Sequence, residues 1–437
     1  MQLSKHNILT KIHGEDAFLL VNLLSGEADV VDPEVARAIE AGGPVNEEEL
    51  AEKGYLVDPQ DEERRLREKY LAFLDARAND EVQLFWVSSY ACNFGCSYCY
   101  QDEYAPAPRN DLGAVVDAFL AYVDDAFRTR RKYVTLFGGE PLLPNPQTRS
   151  VVERMVQETA RRGIDLAVVT NGYSLAEYVP VLATGRIREI QVTLDGTEKV
   201  HDARRYLKGG GETFRRIVDG VDACLAAGLP VNLRSVLDRD NIETFAELAR
   251  FAIDRGWTDH PKFKTQIGRN YELHHCQTAG ARLYSRLSLY EDLYRLIEAQ
   301  PEILKFHRPA FSVARFLFDN QALPEPLFDA CPACKTEWAF DYTGKIYPCT
   351  ANVGKAGEEV GTFWPERRLD RARVEEWEDR DVLGIEACRG CPSQLACGGG
   401  CGAVAKNRDG RVDAPDCRPV KQLLSLGASL YGGDLSA

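Results

Sequence analysis

The sequence predicts an α/β protein: a partial (β/α)6 TIM-like barrel, with a winged helix-turn-helix-like module before it and a cysteine-rich domain after it. Three observations carry that expectation. Six apolar, strand-like runs alternate with helical patterns between residues 82 and 267, which implies a parallel sheet joined by right-handed crossovers. Short strands and two capped helices stand apart from that alternation at the start of the chain. Thirteen cysteines in 437 residues gather in two fields, three at 92–99 and eight at 331–417, leaving only Cys224 and Cys276 elsewhere.

Residues 1–60 read as a unit of their own. The runs 18–22 and 28–31 are short strands around the turn Ser25-Gly26. Asp32 then caps a helix that has Pro33 at its first position. Asn46 and Glu49 form a capping-box pair for a second helix, which stops at Gly54, and Tyr55 to Val57 returns as a strand. Residues 61–80 form a linker, a charged amphipathic helix with Leu66, Tyr70, Phe73 and Leu74 on one face.

The barrel is expected over 81–275, with strands at 82–87, 133–137, 165–170, 187–194, 230–237 and 262–267. Helices fall between them, at 152–161 and 212–227 among others. Six units rather than the eight of a closed barrel imply an open side, with active residues at the C-terminal ends of the strands. Bridging helices follow over 276–325, rich in Leu, Tyr and Phe, and the cysteine-rich domain occupies 326–437. Cys224 reads as a core thiol on a helix; Cys276, beside His274 and His275, has no assigned role.

No apolar run approaches the ~20 residues that span a bilayer, and the N-terminus lacks the apolar stretch of a secretory signal. A cytoplasmic protein with no membrane partner is expected. The net charge of −14 argues against nucleic acid or an anionic membrane surface as partner. In that compartment thiols stay reduced, so clustered cysteines point to metal rather than disulfides.

The first field reads Cys92-x3-Cys96-x2-Cys99, directly after the first strand. Iron–sulfur clusters are normally held by four cysteines, so an ordered set of three leaves one iron of a 4Fe–4S cubane open to a small molecule. Three ligands of a zinc site would be the other use of such a triplet. Gly138-Gly139-Glu140-Pro141 follows the second strand; its glycines permit close backbone approach and its carboxylate can pair with an ammonium. Thr170-Asn171-Gly172 ends the third strand, Leu194-Asp195-Gly196 the fourth, and His201-Asp202 and Arg205 come next.

The triplet, with Tyr98 before its last cysteine, and Gly138 to Pro141 resemble the radical S-adenosylmethionine (radical SAM) family. The resemblance implies that Cys92, Cys96 and Cys99 hold the catalytic cluster, whose open iron chelates S-adenosylmethionine for reduction to a hydrogen-abstracting radical. It implies cofactor contacts from Tyr98, Gly138, Gly139, Glu140, Pro141, Thr170, Asn171 and Asp195, and from Arg205 toward the cofactor carboxylate. The second field, Cys331-x2-Cys334-x9-Gly344-x4-Cys349 and then Cys388-x2-Cys391-x5-Cys397-x3-Cys401 and Cys417, closely resembles the SPASM extension of peptide-modifying radical SAM enzymes. By that resemblance Cys331, Cys334, Cys349 and Cys401 hold one auxiliary 4Fe–4S cluster, and Cys388, Cys391, Cys397 and Cys417 a second. Three clusters in all are implied, with an electron donor such as flavodoxin or ferredoxin. On its own this field suits two zinc sites equally.

The expected activity is maturation of a ribosomally made precursor peptide: hydrogen abstraction followed by a C–S, C–C or C–O cross-link. The N-terminal module would bind the leader by β-augmentation. Alternatives are formylglycine formation of the anaerobic sulfatase-maturing type and modification of a small molecule. The former enzymes carry an aspartate base after the cysteine matching Cys349; here Thr350 stands there, with Asp341 the nearest upstream carboxylate.

Overall fold

The computed structural model describes residues 1–41, 47–104, 112–269 and 282–433. Asn46, and the group His274, His275 and Cys276, lie outside the described residues.

Five strands belong to the N-terminal unit: β1 (Gln2–Leu3), β2 (Asn7–Lys11), β3 (Phe18–Asn22), β4 (Glu27–Val31) and β5 (Leu56–Val57). β2, β3 and β4 form an antiparallel sheet in that order. β5 does not extend it but pairs with β1, closing the unit from its far end. Asp32 caps the helix Pro33–Ala41, its carboxylate accepting from the backbone N–H of Glu34 and Val35 at 2.9 Å each.

The linker helix spans Pro59–Asn79, two residues longer at its start than its apolar stripe suggests, because Asp58 caps it and Pro59 suits the first turn. Its face packs on the C-terminal part of the chain. Tyr70 and Phe73 lie 5.2 and 5.5 Å from the Phe328 ring, and the Tyr70 hydroxyl donates to Asp381 at 2.6 Å. Ile8, Leu19 and Val21 of the N-terminal sheet share one core with Leu66, Tyr294, Phe311 and Leu424, so this unit is built onto the C-terminal helices.

Six parallel strands follow in spatial order as in sequence: β6 (Val82–Val87), β7 (Lys132–Phe137), β8 (Asp165–Thr170), β9 (Ile187–Thr193), β10 (Val231–Leu237) and β11 (Phe263–Arg269). The sheet does not end at β6. β12 (Glu337–Asp341) pairs parallel to β6, from Glu337 opposite Gln83 to Asp341 opposite Val87. β13 (Lys345–Tyr347), β14 (Gly361–Thr362) and β15 (Arg368–Leu369) continue it antiparallel, giving ten strands in one sheet. The sheet thus crosses the boundary expected between barrel and cysteine-rich segment.

Strand parity divides this sheet into two faces. Val82, Leu84, Trp86, Val134, Leu136, Ile190, Val192, Val231 and Leu233 point outward to the helices, among them Leu112–Ala126 and Pro146–Arg161, and form the main core with Phe119 and Met155. Each such side chain, fully buried, contributes ~1.5–3 kcal/mol. The opposite parity carries Gln83, Thr135, Glu189, Gln191, Arg234 and Gln266, which face an internal space. The helix Arg286–Ala299 packs Leu289, Leu293 and Ile297 into the main core and Tyr294 into the second, and so bridges the two. Among the described residues, no helix is long and apolar enough to cross a membrane.

Candidate active site

The loop after β6 is held by its own backbone. Gly95 N–H donates to Tyr206 O at 2.9 Å, Ser97 N–H to Arg204 O at 3.1 Å, and Lys208 N–H to Asn93 O at 2.8 Å, so residues 93–97 are laced to 204–208. Cys92, Cys96 and Cys99 face one cavity of about 240 Å³ with Tyr98, Gly138, Gly139, Thr170, Asn171 and Arg205. Asn171 donates to Asn93 Oδ1 at 2.8 Å and reaches Cys92 Sγ at 3.8 Å, which positions the first cysteine. Burial, reinforced by Glu140, pushes the Cys92 thiol up to about 12. A thiol held that high ionises once a cation compensates it.

The glycines after β7 meet the protein as closely as any ligand. A Cβ on Gly138 would lie 2.5 Å from Ser89 O, and one on Gly139 would lie 2.3 Å from Ala91 O. With no Cβ there, Gly139 N–H donates to Ser89 O at 3.0 Å and Glu140 N–H to Ala91 O at 2.9 Å, pinning the start of the cysteine loop. Glu140, expected to meet an ammonium, does not line the cavity, nor does Pro141. The carboxylate is buried and accepts from Thr170 Oγ1 and Asn171 N–H at 2.6 Å each and from Leu142 N–H at 2.8 Å. Its burial raises its pKa, against the pull of those three bonds.

Asp195 also lies behind the cavity wall. It accepts from Tyr98 Oη at 2.6 Å and Val236 N–H at 2.9 Å and pairs with Arg204, which forks onto Asp238 at 2.9 and 3.0 Å. Arg205 donates to Tyr98 Oη at 2.8 Å, while its buried Nε has no hydrogen-bond partner. An orphaned guanidinium N–H beside three thiols suits an anionic ligand group. His201 is fully buried, accepts from Asp195 N–H at 3.3 Å, and is held neutral by burial, its pKa lowered to about 3. Arg204, Asp238 and Asn241, which fix these strand ends, carry no motif that sequence reading could isolate.

A second cavity of about 580 Å³ fills the inside of the barrel, with Cys331, Cys349 and Cys401 in one wall. Tyr100, Val169 and Arg234 line both cavities and mark the neck where the two adjoin. Cys331 has Cys401 as an electrostatic neighbour, Cys334 has Cys331, and Cys349 has Cys331 and Cys401. Cys388 neighbours Cys397, Cys417 and Cys391. Two groups of four result. Burial raises the Cys331, Cys334 and Cys349 thiols and pushes Cys388 up to about 11.

Among the described residues, only Glu198, Asp202 and Glu212 bring three His, Cys, Asp or Glu ligand atoms all within 4.8 Å of one another. Four thiolates ~2.3 Å from one zinc ion would stand ~3.8 Å apart. A cubane places a separate iron under each thiolate and spreads them further. Among the described residues, no three cysteine sulfurs lie within 4.8 Å of one another.

Thr350 donates through its N–H and Oγ1 to Glu337 at 2.7 and 2.9 Å, and both residues line the barrel cavity. Asp341 does not line it; Tyr90, Tyr347 and Thr343 take up its carboxylate.

Residues 86–252 match the Radical SAM superfamily. GTP 3',8-cyclase of Rhizobium meliloti (strain 1021) is 33% identical over 167 residues, covering 38% of this chain and 46% of that protein. The same enzyme of Klebsiella pneumoniae (strain 342) is 36% identical over 158 residues, covering 34% and 44%. The match thus spans under half the length of these relatives. Among solved structures, anSMEcpe with bound AdoMet and Cp18Cys peptide aligns at a TM-score of 0.61 and 15% identity, over 82% of this chain and 98% of that one. Streptococcus suis SuiB bound to precursor peptide SuiA aligns at 0.55 and 16%, over 96% and 99%. Those likenesses are of fold. The sequence match makes residues 86–252 a radical SAM domain, a domain that implies a 4Fe–4S cluster and S-adenosylmethionine, and its three thiols face one cavity.

Proposed function

We propose that this protein is a radical SAM peptide maturase with two auxiliary 4Fe–4S clusters, which cross-links a ribosomally made precursor. One observation carries the proposal: the barrel cavity has Cys331, Cys349 and Cys401 in its wall and adjoins the cavity of Cys92, Cys96 and Cys99, with Tyr100, Val169 and Arg234 lining both. A substrate in that space sits between a hydrogen-abstracting centre and a centre able to take up the surplus electron. Bound at the first cavity, the cluster and S-adenosylmethionine supply the hydrogen abstraction. The chain's own part is to orient: Asn171 sets Cys92, Gly138 and Gly139 let the loop close, and Arg205 offers its free Nε to the cofactor carboxylate.

A peptide is the substrate class that the comparisons support over a nucleotide. The match to a GTP 3',8-cyclase covers 38% of this chain, whereas the likeness to SuiB, which binds a precursor peptide, runs over 96% of it. Residues 1–60 are proposed as the leader-binding module. Among the described residues, β4 has a strand partner only on its β3 side. A groove of about 630 Å³ beside it carries Leu19, Val30, Phe318 and Tyr431. A leader added there would gain main-chain hydrogen bonds from the open edge and apolar contacts from the groove.

Formylglycine formation is the second reading, kept because Glu337 brings a carboxylate into hydrogen-bond contact with Thr350 inside the cavity. The test is anaerobic reconstitution followed by incubation with S-adenosylmethionine and dithionite. 5'-Deoxyadenosine should form with the wild type and not with the Cys92→Ala, Cys96→Ala, Cys99→Ala variant; no product from a fully iron-loaded wild type would reject the proposal. With a precursor in hand, a cross-linked product keeps every heavy atom, whereas an aldehyde made from cysteine loses its sulfur.

A further inference from the structure

The charged side chains of the barrel cavity are matched to partners, with Arg234 the exception. Arg188 pairs with Glu81 at 2.8 Å and lies over the Tyr133 ring. Glu189 accepts from Asn232 at 2.9 Å and pairs with Lys264. Glu337 accepts twice from Thr350. The Arg234 guanidinium receives no carboxylate among the described residues, and its buried Nε has no hydrogen-bond partner. It stands at the neck with Tyr100 and Val169. The fold also makes room for it: a Cβ on Gly268 would come within 2.8 Å of both Nε and Nη2, so the group lies flat on a glycine of the neighbouring strand.

A buried guanidinium N–H without a partner is costly, and the geometry the group prefers is the two-pronged one a carboxylate offers. The cofactor carboxylate already has Arg205, which is beside Cys96 and has an unpartnered Nε of its own. A polyphosphate is a poor match, since the cavity sets Glu189 and Glu337 against Arg188 and Arg234. That balance leaves room for a single negative charge, already desolvated by its entry.

We infer that Arg234 anchors a carboxylate of the substrate at the neck, so that the peptide segment entering the site carries an aspartate or glutamate at, or next to, the residue attacked. This rests on the peptide-maturase reading above. The probes are the capped tripeptides acetyl-Gly-Asp-Gly-amide and acetyl-Gly-Asn-Gly-amide, titrated by ligand-observed NMR against the reconstituted enzyme. The aspartate peptide should bind the wild type about tenfold more tightly, the scale of one charge-assisted contact. Arg234→Gln should bring the ratio to about one, and Arg234→Lys should retain part of it. Gly268→Ala, which changes no charge but displaces the guanidinium, should also lower it and serves if Arg234→Gln does not take up its iron. A wild-type ratio near one, or a ratio unchanged in both Arg234→Gln and Gly268→Ala, overturns the inference. Deoxyadenosine formation by the wild type separates the two failures: its presence with a ratio of one rejects only the anchor, and its absence rejects the radical reading beneath it.

Discussion

Glu140 ties two strand ends together with its carboxylate and holds the cysteine loop with its backbone N–H. Its oxygens accept from Thr170 Oγ1, Asn171 N–H and Leu142 N–H, and its own N–H donates to Ala91 O. Asn171 in turn reaches Cys92 and Asn93. The acidic residue of the Gly-Gly-Glu-Pro motif therefore acts through its neighbours. Glu140→Gln keeps the volume but turns an NH2 toward one of three donors, leaving a buried donor unsatisfied at a cost of ~1–3 kcal/mol. The strand end carrying Asn171 should shift, and deoxyadenosine formation should fall about tenfold, the equivalent of ~1.4 kcal/mol. Iron content should stay at the wild-type value, because the three thiols remain. An unchanged rate would show that the carboxylate does not position the loop.

At the scale of elements, the cysteine fields, the glycine motif and six strands were legible because each is written in local spacing. The observed strands begin and end within two residues of the expected runs, since parallel strands covered by helices read as short apolar blocks. What local pattern does not carry is pairing between distant segments. β12 joins β6 across some 250 residues of chain, and nothing in Glu337 to Asp341 says which edge it will meet. The barrel cavity was missed for a related reason: it is assembled from alternate positions of six strands. A signal was present, since Gln83, Thr135, Glu189, Gln191, Arg234 and Gln266 put polar groups into strands that would otherwise be apolar on both faces. The linker helix was legible as a helix but not in its partner, which is Phe328. Phe328 is fully buried between that helix and the C-terminal core. Phe328→Ala should cost ~3–5 kcal/mol and free residues 59–79, read as loss of amide protection by hydrogen exchange. Protection retained in that helix would mean that its other contacts suffice.

For the whole molecule, the same sheet serves the radical centre and the second cysteine field. The loop that carries Cys92 follows β6; Cys331 and Cys334 precede β12, which pairs with β6, and Cys349 follows β13, the next strand in the sheet. Two cysteine fields written far apart in sequence are thus brought together on one sheet, with cysteines of both lining the adjoining cavities. That placement matters only if both fields hold redox-active metal, and the metal content decides that. Three cubanes on three, four and four cysteines amount to ~12 iron per chain. Protein purified and reconstituted without oxygen should contain that amount with matching sulfide, and the Cys92→Ala, Cys96→Ala, Cys99→Ala variant should contain ~8. Replacing Cys388 and Cys391 by alanine should likewise leave ~8 while deoxyadenosine formation without peptide persists, since those residues belong to the group away from the neck. About 4 iron with two zinc ions would reject the two auxiliary clusters. It would also remove the path by which a surplus electron leaves the barrel, so that a redox-neutral reaction would have to replace the oxidative cross-link.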